Sequence, residues 1–254
     1  MKWVSILFCG DDGIDMDEGY NGNIQFLFVM TGADGHHGAE IDSMAKQVVG
    51  GEVVRNVDSQ PRTLPKVYNA MFVGSVHGTP QSVSSDDQRE ALMRIREGAG
   101  GEWANIVLAN VANVGLLQTS CGAEIRSHEI PEDTNEYLFF SSNNIIDSIY
   151  LPYGFVQFYE LEDSDGFNSC AGLLNATAVD DLMISSLPAT VDEDVTFIDP
   201  RPVPGSPLLE NVDPVPDLDF FDDVDYKGAF GPDGPLWIAC WSWLGEFNHI
   251  PGCS

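Results

Sequence analysis

Short strand-like runs separated by Gly, Asn, Asp and Ser recur along most of the chain, and they limit it to a β-rich fold. Each run is rich in the aliphatic, aromatic and β-branched residues that strands favour. The predicted strands are Val4–Phe8, Ile24–Met30, Val67–Val73, Leu92–Arg96, Trp103–Ala109, Gly115–Gln118, Ala123–Arg126, Tyr137–Phe140 and Phe155–Tyr159. Helical periodicity is confined to two short candidates, Ile41–Val48 and Ser85–Arg96, and the second competes with a predicted strand. The pattern therefore predicts an all-β chain.

Corners rich in Gly and Asn favour a coiled parallel sheet over a sandwich of antiparallel sheets. Gly98, Gly100 and Gly101 follow one predicted strand, and Asn105 and Asn110 bracket the next run. Stacked corners of a solenoid adopt left-handed backbone conformations, which Gly and Asn reach at the least cost. Two-residue hairpin turns, which a sandwich uses, are rare in the sequence. We therefore predict a parallel β-helix, a solenoid of stacked coils without an exact sequence repeat.

The sequence changes character after about Asp192, where proline becomes frequent. The tracts 199–207 and 213–216 cannot supply a central strand, because proline lacks the backbone N–H that a sheet needs. We predict a β-helix body with metal-binding loops over residues 1–195, followed by an extended proline-rich tail and a Trp-rich capping segment over residues 196–254. Residues 236–244 are predicted to form a short terminal helix that caps an end of the solenoid, with an aromatic ligand platform as the alternative.

Acidic side chains far outnumber basic ones. The chain has 40 Asp and Glu against 11 Lys and Arg, a net charge of -29. Such a surface repels nucleic acid, and polyanionic polysaccharides would need bridging cations to bind it. A small neutral substrate, or no substrate, is therefore the expected partner. An acidic surface that serves solubility in salt-rich surroundings is the alternative explanation of the charge.

Neither a membrane span nor a secretion signal is predicted. No apolar run approaches the length that crosses a bilayer, and Met1–Cys9 is too short for a signal peptide and is predicted to be a strand. The cysteines form no CxxC pair, so zinc-finger and thioredoxin chemistry is not indicated. Cys240 and Cys253 are the candidate disulfide pair.

Three segments resemble a known group of proteins. They are Gly10–Tyr20, Asp199–Pro207 and Tyr226–Pro232. Together they resemble the C-terminal part of secreted, mostly uncharacterised right-handed parallel β-helix proteins of marine bacteria. The resemblance implies a right-handed helix and a secreted or cell-surface location, and it implies fold more than function. It also implies that the first coil is exposed or forms a homo-oligomer with another copy, because the N-terminal coils typical of the group are missing.

An acidic segment near the N-terminus is the strongest candidate for a metal site. Carboxylates crowd between Asp11 and Glu18, alternating in part with apolar residues. On an extended strand this alternation sends Asp15 and Asp17 to one face. Dense carboxylates need a cation to offset their repulsion, and hard oxygen ligands suit Ca²⁺. The predicted metal ligands are Asp11, Asp12, Asp15, Asp17, Glu18, Asp34, Glu40 and Asp42. A solvated acidic turn is the alternative.

Two adjacent histidines follow in a Gly-rich loop. His36 and His37 lie between Gly35 and Gly38, with carboxylates on either side. Imidazole favours Zn²⁺ or Mn²⁺ over Ca²⁺. Two interpretations stay open, a metal site of mixed ligands or a calcium centre at which His36 or His37 acts as catalytic acid/base. An exposed polar loop without chemistry is the alternative.

The sequence is compatible with three functions. The first is a divalent-metal hydrolase, with Ca²⁺ preferred, that cleaves an ester or phosphoester through metal-activated water. The second is a non-catalytic secreted or surface scaffold stabilised by calcium. The third is a calcium-dependent polysaccharide lyase, which the acidic charge disfavours. A lyase also needs a base, and the basic residues nearest the acidic segment along the chain are Lys2 and Lys46.

Overall fold

Strands account for nearly all of the regular structure. The computed structural model describes residues 1–32, 35–43, 45–56, 60–74, 91–111, 114–119, 125–127, 137–147, 158–160, 176–187 and 197–252. The strands are β1 (Lys2–Cys9), β2 (Ile14–Met16), β3 (Asn23–Thr31), β4 (Ala39–Ile41), β5 (Ala45–Val49), β6 (Glu52–Asn56), β7 (Lys66–Val73), β8 (Ala91–Arg96), β9 (Gly101–Ala109), β10 (Val114–Thr119), β11 (Ile125–Ser127), β12 (Tyr137–Phe140), β13 (Ile145–Asp147), β14 (Phe158–Glu160), β15 (Thr177–Val179), β16 (Ile184–Ser186) and β17 (Asp199–Pro202). The helical elements in these ranges are a 3₁₀ turn at Pro207–Leu209 and helix α1 (Trp243–Glu246). Neither is long and apolar enough to cross a bilayer.

Two parallel sheets pack against a common core, and the chain crosses repeatedly from one sheet to the other. The large sheet has the order β1-β3-β7-β9-β12-β11, with β13 paired to β9 and β15 paired to β13. The small sheet has the order β2-β4-β8-β10-β14. Pairing is parallel throughout both sheets. Because β1 leads to β2, β3 to β4, β7 to β8 and β9 to β10, each pair belongs to one coil. The predicted parallel β-helix is confirmed.

A hydrophobic core fills the space between the two sheets. Val29, Phe72 and Leu108 of the large sheet belong to one buried cluster with Ile41 and Ile95 of the small sheet. Burial of each such side chain contributes about 1.5–3 kcal/mol. Since side chains alternate along a strand, the core also determines which residues face outward.

Each long strand of the large sheet has a bend at an internal residue with a left-handed backbone. These residues are Trp3, Phe26, Asn69 and Asn105, with φ angles of 59°, 57°, 52° and 57°. The residues on both sides of each bend are in register with the adjacent strand, so the bends stack on one another. Asn tolerates this conformation better than most residues. The corner predicted at Asn105 is therefore confirmed.

Buried amide side chains at these bends hold the C-terminal tail against the large sheet. Gln25 Nε2 donates to the carbonyl oxygen of Asp222 (2.7 Å), and the Asp222 N–H donates to Gln25 Oε1 (2.8 Å). Asn105 makes the same two-way pair with the backbone of Asp213, at 2.9 and 2.8 Å. Asn69 donates to a further tail carbonyl oxygen at 2.7 Å. Each bond satisfies a buried group that would otherwise cost free energy.

An apolar layer from the tail covers the outer face of the large sheet. Phe28, Met71 and Val107 form a second buried cluster with tail residues such as Leu208 and Phe230. The large sheet is thus covered on both faces. In the described ranges the tail runs along the body of the solenoid and contributes one of its packing layers.

The Trp-rich block, residues 236–244, lies beside the first coil. The ring centroids of Trp3 in β1 and Trp237 are 5.7 Å apart. A short terminal helix is present, but the four-residue α1 overlaps the predicted range 236–244 only at Trp243 and Leu244. Cys240 in this block is disulfide-bonded, and its predicted partner Cys253 lies outside the described residues.

Both helical predictions are wrong where the structure describes them. Ala91–Arg96 is strand β8, and Ala45–Val49 is strand β5. Strand β5 forms an antiparallel hairpin with β6 around Gly50 and Gly51. Hydrogen bonds to neighbouring strands outweigh the local helical periodicity of both segments.

Gly101→Ala should destabilise the fold much more than Gly50→Ala. Both glycines have a positive φ, 97° and 64°, so alanine is strained at both. A Cβ at Gly101 would also lie 2.2 Å from the carbonyl oxygen of Pro65, whereas nothing lies within 4 Å of a Cβ at Gly50. We expect losses of about 3 and about 1 kcal/mol in the free energy of unfolding, measured by urea denaturation. Equal losses would contradict the close packing at Gly101.

Candidate functional site

Charged residues line the outer face of the small sheet in its first three strands. Asp15 of β2 is in register with Glu40 of β4, and Glu40 is in register with Arg94 of β8. The residues next to them along each strand, such as Ile14 and Ile41, are buried in the core. Because side chains alternate between the two faces, Asp15, Glu40 and Arg94 share the outward face. They form a row of two carboxyl groups and one guanidinium group, called the charged row below.

Two arginines of β8 contact the carboxyl groups of Glu40 and Asp42 beside them. Arg96 makes a two-pronged pair with Asp42, at 2.6 Å from Nε to Oδ1 and 2.7 Å from Nη2 to Oδ2. Its Nη2 also lies 3.1 Å from Glu40 Oε1, and Arg94 Nη1 lies 3.3 Å from the same oxygen. A planar guanidinium suits this bidentate geometry. The arginines therefore hold Glu40 and Asp42 in fixed positions.

Sequence reasoning missed both arginines. The basic residues nearest the acidic segment along the chain are Lys2 and Lys46, but distance along the chain is a poor guide in a solenoid. The signal that would have revealed Arg94 and Arg96 is the alternation of apolar and basic residues in β8. Once β8 is paired with β4, that alternation places both arginines next to the acids.

Asp12 and His37 form a buried pair beside this row. Asp12 Oδ1 accepts a hydrogen bond from the backbone N–H of His37 (2.9 Å) and lies 2.8 Å from His37 Nδ1. Only 8% of the Asp12 side chain and 2% of the His37 side chain are exposed. Backbone hydrogen bonds tie their two loops together, from Gly13 N–H to the His37 carbonyl oxygen (2.8 Å) and from His36 N–H to that of Asp11 (3.0 Å). The loops after β1 and β3 therefore meet at one point.

Burial and hydrogen bonding give Asp12 and Glu40 widely different pKa values. Burial raises the pKa of Glu40 to about 8, against the opposing charge of Arg96 and with a further rise from its hydrogen bond to Asp12. Burial acts to raise the pKa of Asp12 as well, but hydrogen bonds from His37 and Glu40 lower that pKa to about 2. The two carboxyl groups therefore share one proton near neutral pH, with Glu40 as donor. A neighbouring pair with divergent pKa values is typical of acid–base sites.

Asp12, His36 and His37 are also a group that could hold a metal ion. One ligand atom from each lies within 4.8 Å of the others, and the described ranges contain no second group of this kind. Burial lowers the pKa of His37 despite its bond to Asp12, so the imidazole is neutral and able to coordinate near neutral pH. The His36 side chain is 42% exposed. Two imidazoles and a carboxylate suit Zn²⁺ or Mn²⁺ better than Ca²⁺.

The structure gathers part of the predicted site and leaves part of it in solvent. The predicted residues that come together are Asp12, Asp15, His36, His37, Glu40 and Asp42. Asp11, Asp17 and Glu18 are exposed, and Asp11 Oδ1 lies 3.8 Å from His36 Nδ1. Asp34 lies outside the described residues.

One comparison with known proteins gives a match. A family model with the description "Pectate-lyase like beta helix domain" matches residues 1–141, which is more than half of the chain. This range contains the whole charged row and the Asp12–His37 pair. Neither a curated protein nor a solved structure matches the chain. The match supports the fold and lends no support to the predicted ester or phosphoester chemistry.

Glu40→Gln should stabilise the protein at alkaline pH. The pKa of Glu40 is higher in the folded protein than its ordinary value of 4.5, so folding loses stability as the pH rises from that value through about 8. Glutamine does not ionise and escapes this loss. We expect the advantage of the variant in unfolding free energy to grow by about 1–3 kcal/mol between about pH 5 and about pH 9, with partial solvent screening included. Chemical denaturation at both pH values measures it, and an advantage independent of pH would refute the raised pKa.

Proposed function

The chain belongs to the pectate-lyase-like β-helix domain family, and on that premise we propose that it hydrolyses glycosidic bonds of a polysaccharide. Glu40 is the proposed proton donor and Asp15 the proposed nucleophile. The observation that carries the proposal is the row on the small sheet, where two acids stand in register on adjacent strands with Arg94 beside them. Polysaccharides are met mostly outside the cell, so we propose a secreted or cell-surface location.

The spacing of the two acids supports hydrolysis with retention of configuration. Adjacent strands lie about 4.8 Å apart, and in-register side chains on one face have a similar separation. Retaining glycosidases hold their two carboxyl groups about 5 Å apart, whereas inverting enzymes need about 6.5 Å or more to admit water. Asp15 is exposed and can reach the anomeric carbon. Asp15 bonds to the anomeric carbon as the glycosidic bond breaks and Glu40 protonates the leaving oxygen; water then cleaves the Asp15–sugar bond, with ionised Glu40 accepting the proton of the water.

The neighbours of Glu40 prepare it for both halves of this reaction. Asp12 is ionised and accepts the Glu40 proton in a hydrogen bond, which keeps the acid protonated and oriented. His37 holds Asp12 through two contacts to one oxygen, at 2.8 and 2.9 Å. After proton transfer, Arg94 and Arg96 stabilise the new carboxylate from 3.3 and 3.1 Å.

A metal-assisted reaction is the second candidate, and the group Asp12, His36 and His37 favours it. A divalent metal held there would supply a Lewis acid and an activated water. The group offers one carboxylate, whereas Ca²⁺ takes about six to eight oxygen ligands. We therefore propose Zn²⁺ or Mn²⁺ for these residues. Hydrolysis of an ester or phosphoester would depend on this group.

A calcium-dependent lyase and a non-catalytic scaffold fit the site less well. Elimination needs a base that can accept a proton, but Arg96 is held in a two-pronged ion pair with Asp42, and Arg94 donates to Glu40 Oε1 at 3.3 Å. A polyuronate substrate would also meet the net charge of -29. The products distinguish these functions from hydrolysis, since a lyase forms an unsaturated sugar and a scaffold forms no product.

Glu40→Gln should lower the rate of polysaccharide hydrolysis by about 10²–10⁴-fold, because it removes the proton donor and keeps the shape of the side chain. Release of reducing ends from a panel of soluble polysaccharides measures the rate. The wild-type rate should fall as the pH rises through about 8, where Glu40 loses its proton. Glu246→Gln, at an exposed carboxylate of α1, is the matched control and should keep wild-type activity.

Four results of this assay would decide against the proposal in different ways. Full activity of Glu40→Gln would reject Glu40 as the donor. A product that absorbs in the ultraviolet would replace hydrolysis with elimination. Activity that is lost in EDTA and restored by Zn²⁺ would favour the metal-assisted candidate, and no product from any polysaccharide would favour the scaffold.

A further inference from the structure

Exposed indole rings lie where the C-terminal tail meets strand β1, with Trp241 linked to Trp3 through Trp237 and Trp243 beside Phe8. Trp3 of β1 is 44% exposed, and Trp241 and Trp243 of the Trp-rich block are 62% and 46% exposed. These three side chains form the indole surface. Large aromatic groups are normally buried, so a cluster of exposed ones indicates a binding surface.

Each ring of the indole surface stacks on another ring of the protein. Trp3 lies on Phe26, with centroids 4.1 Å apart and planes 17° apart. Trp241 lies on Trp237 at 6.1 Å and 26°, and Trp243 lies on His249 at 4.9 Å and 18°. Stacking supports each indole, and the exposed part of each side chain remains available to a ligand. Rings held in this way lose little conformational entropy when they bind a ligand.

The indole N–H of Trp241 and that of the ring beneath it are already used within the protein. Trp241 Nε1 donates to the carbonyl oxygen of Trp237 at 2.6 Å. Trp237, the ring beneath it, donates from Nε1 to the carbonyl oxygen of Ala229 at 2.9 Å. With these donors engaged, the ring faces remain for a ligand. The surface therefore favours a partner with flat apolar faces.

The indole surface adjoins the proposed catalytic site. Trp243 contacts Phe8 of β1 with ring centroids 6.3 Å apart. The chain then runs from Phe8 to Asp12, and four residues span at most about 14 Å even when extended. A linear ligand that lies on Trp243 can therefore reach the loop that holds Asp12.

We propose that the indole surface binds a neutral polysaccharide chain and guides it to the site at Glu40. This inference rests on the proposed function. Pyranose rings present flat faces of C–H groups, which stack on indoles. A second copy of the chain would bring another net charge of -29 to the contact, and a polyuronate or an anionic membrane would meet the same repulsion. A neutral chain of sugars meets no such barrier.

Binding of the full chain to insoluble cellulose and chitin, measured by depletion from solution, tests the proposal. We expect Trp241→Ala with Trp243→Ala to weaken binding at least about tenfold. Phe197→Ala is the matched control, since Phe197 is 44% exposed and lies outside the indole surface. It should bind like wild type. Circular dichroism and thermal unfolding check that each variant is folded.

A measurement on the wild type needs no variant. Soluble cello-oligosaccharides and chito-oligosaccharides should protect tryptophan fluorescence from acrylamide quenching. Absence of protection together with absence of binding to both solids would overturn the inference, as would undiminished binding of the double variant. Binding to pectate alone would overturn the choice of a neutral chain.

Two outcomes separate this inference from the proposed function. Binding that depends on the indoles, with no hydrolysis of any polysaccharide, would refute the proposed function and support the surface. Self-association of the wild type in sedimentation, lost in the double variant, would overturn the inference and assign the surface to contact between copies.

Discussion

The register between parallel strands is the constraint on which the rest of the structure depends. It places Asp15 beside Glu40 and Glu40 beside Arg94, while Ile14 and Ile41 enter the core. A slip of one residue would turn a carboxyl group into the core and a large aliphatic side chain into water. Either change costs several kcal/mol, since buried charges and lost apolar burial are both unfavourable. The core between the sheets therefore enforces the order of charges on the outer face.

The C-terminal tail covers the outer face of the large sheet and brings the indole surface close to the charged row. Buried amides at the stacked bends, Gln25 and Asn105 among them, bind the tail backbone, and apolar residues fill the space beneath it. The tail ends beside the first coil, where Trp243 contacts Phe8. The loop after β1 starts from that contact and carries Asp12. One packing arrangement thus places the indole surface and the acid–base row at the same end of the solenoid.

Much of the fold could be predicted from the sequence because each long strand is a continuous run of mostly apolar residues. Ile24–Met30 and Val67–Val73 are apolar over two faces, and they form strands β3 and β7. The strands β2 and β4 were missed, since they are three residues long, centre on an acid and are held by pairing with their neighbours. The candidate site divides in the same way. Asp12, His36 and His37 could be found because Asp, Glu and His residues are frequent in that part of the sequence. The raised pKa of Glu40 depends on its burial and on an opposing arginine distant in sequence, and no local pattern contains either.

Glu40 holds a proton at neutral pH because the fold buries it against Asp12. The most direct test is a pH titration of the ¹³C carboxyl signal of Glu40 in the wild-type chain, assigned by its loss in Glu40→Gln. We expect a midpoint at about 8, with Asp12 titrating at about 2. A midpoint for Glu40 close to the ordinary value of 4.5 would contradict the shared proton and the acid–base role built on it.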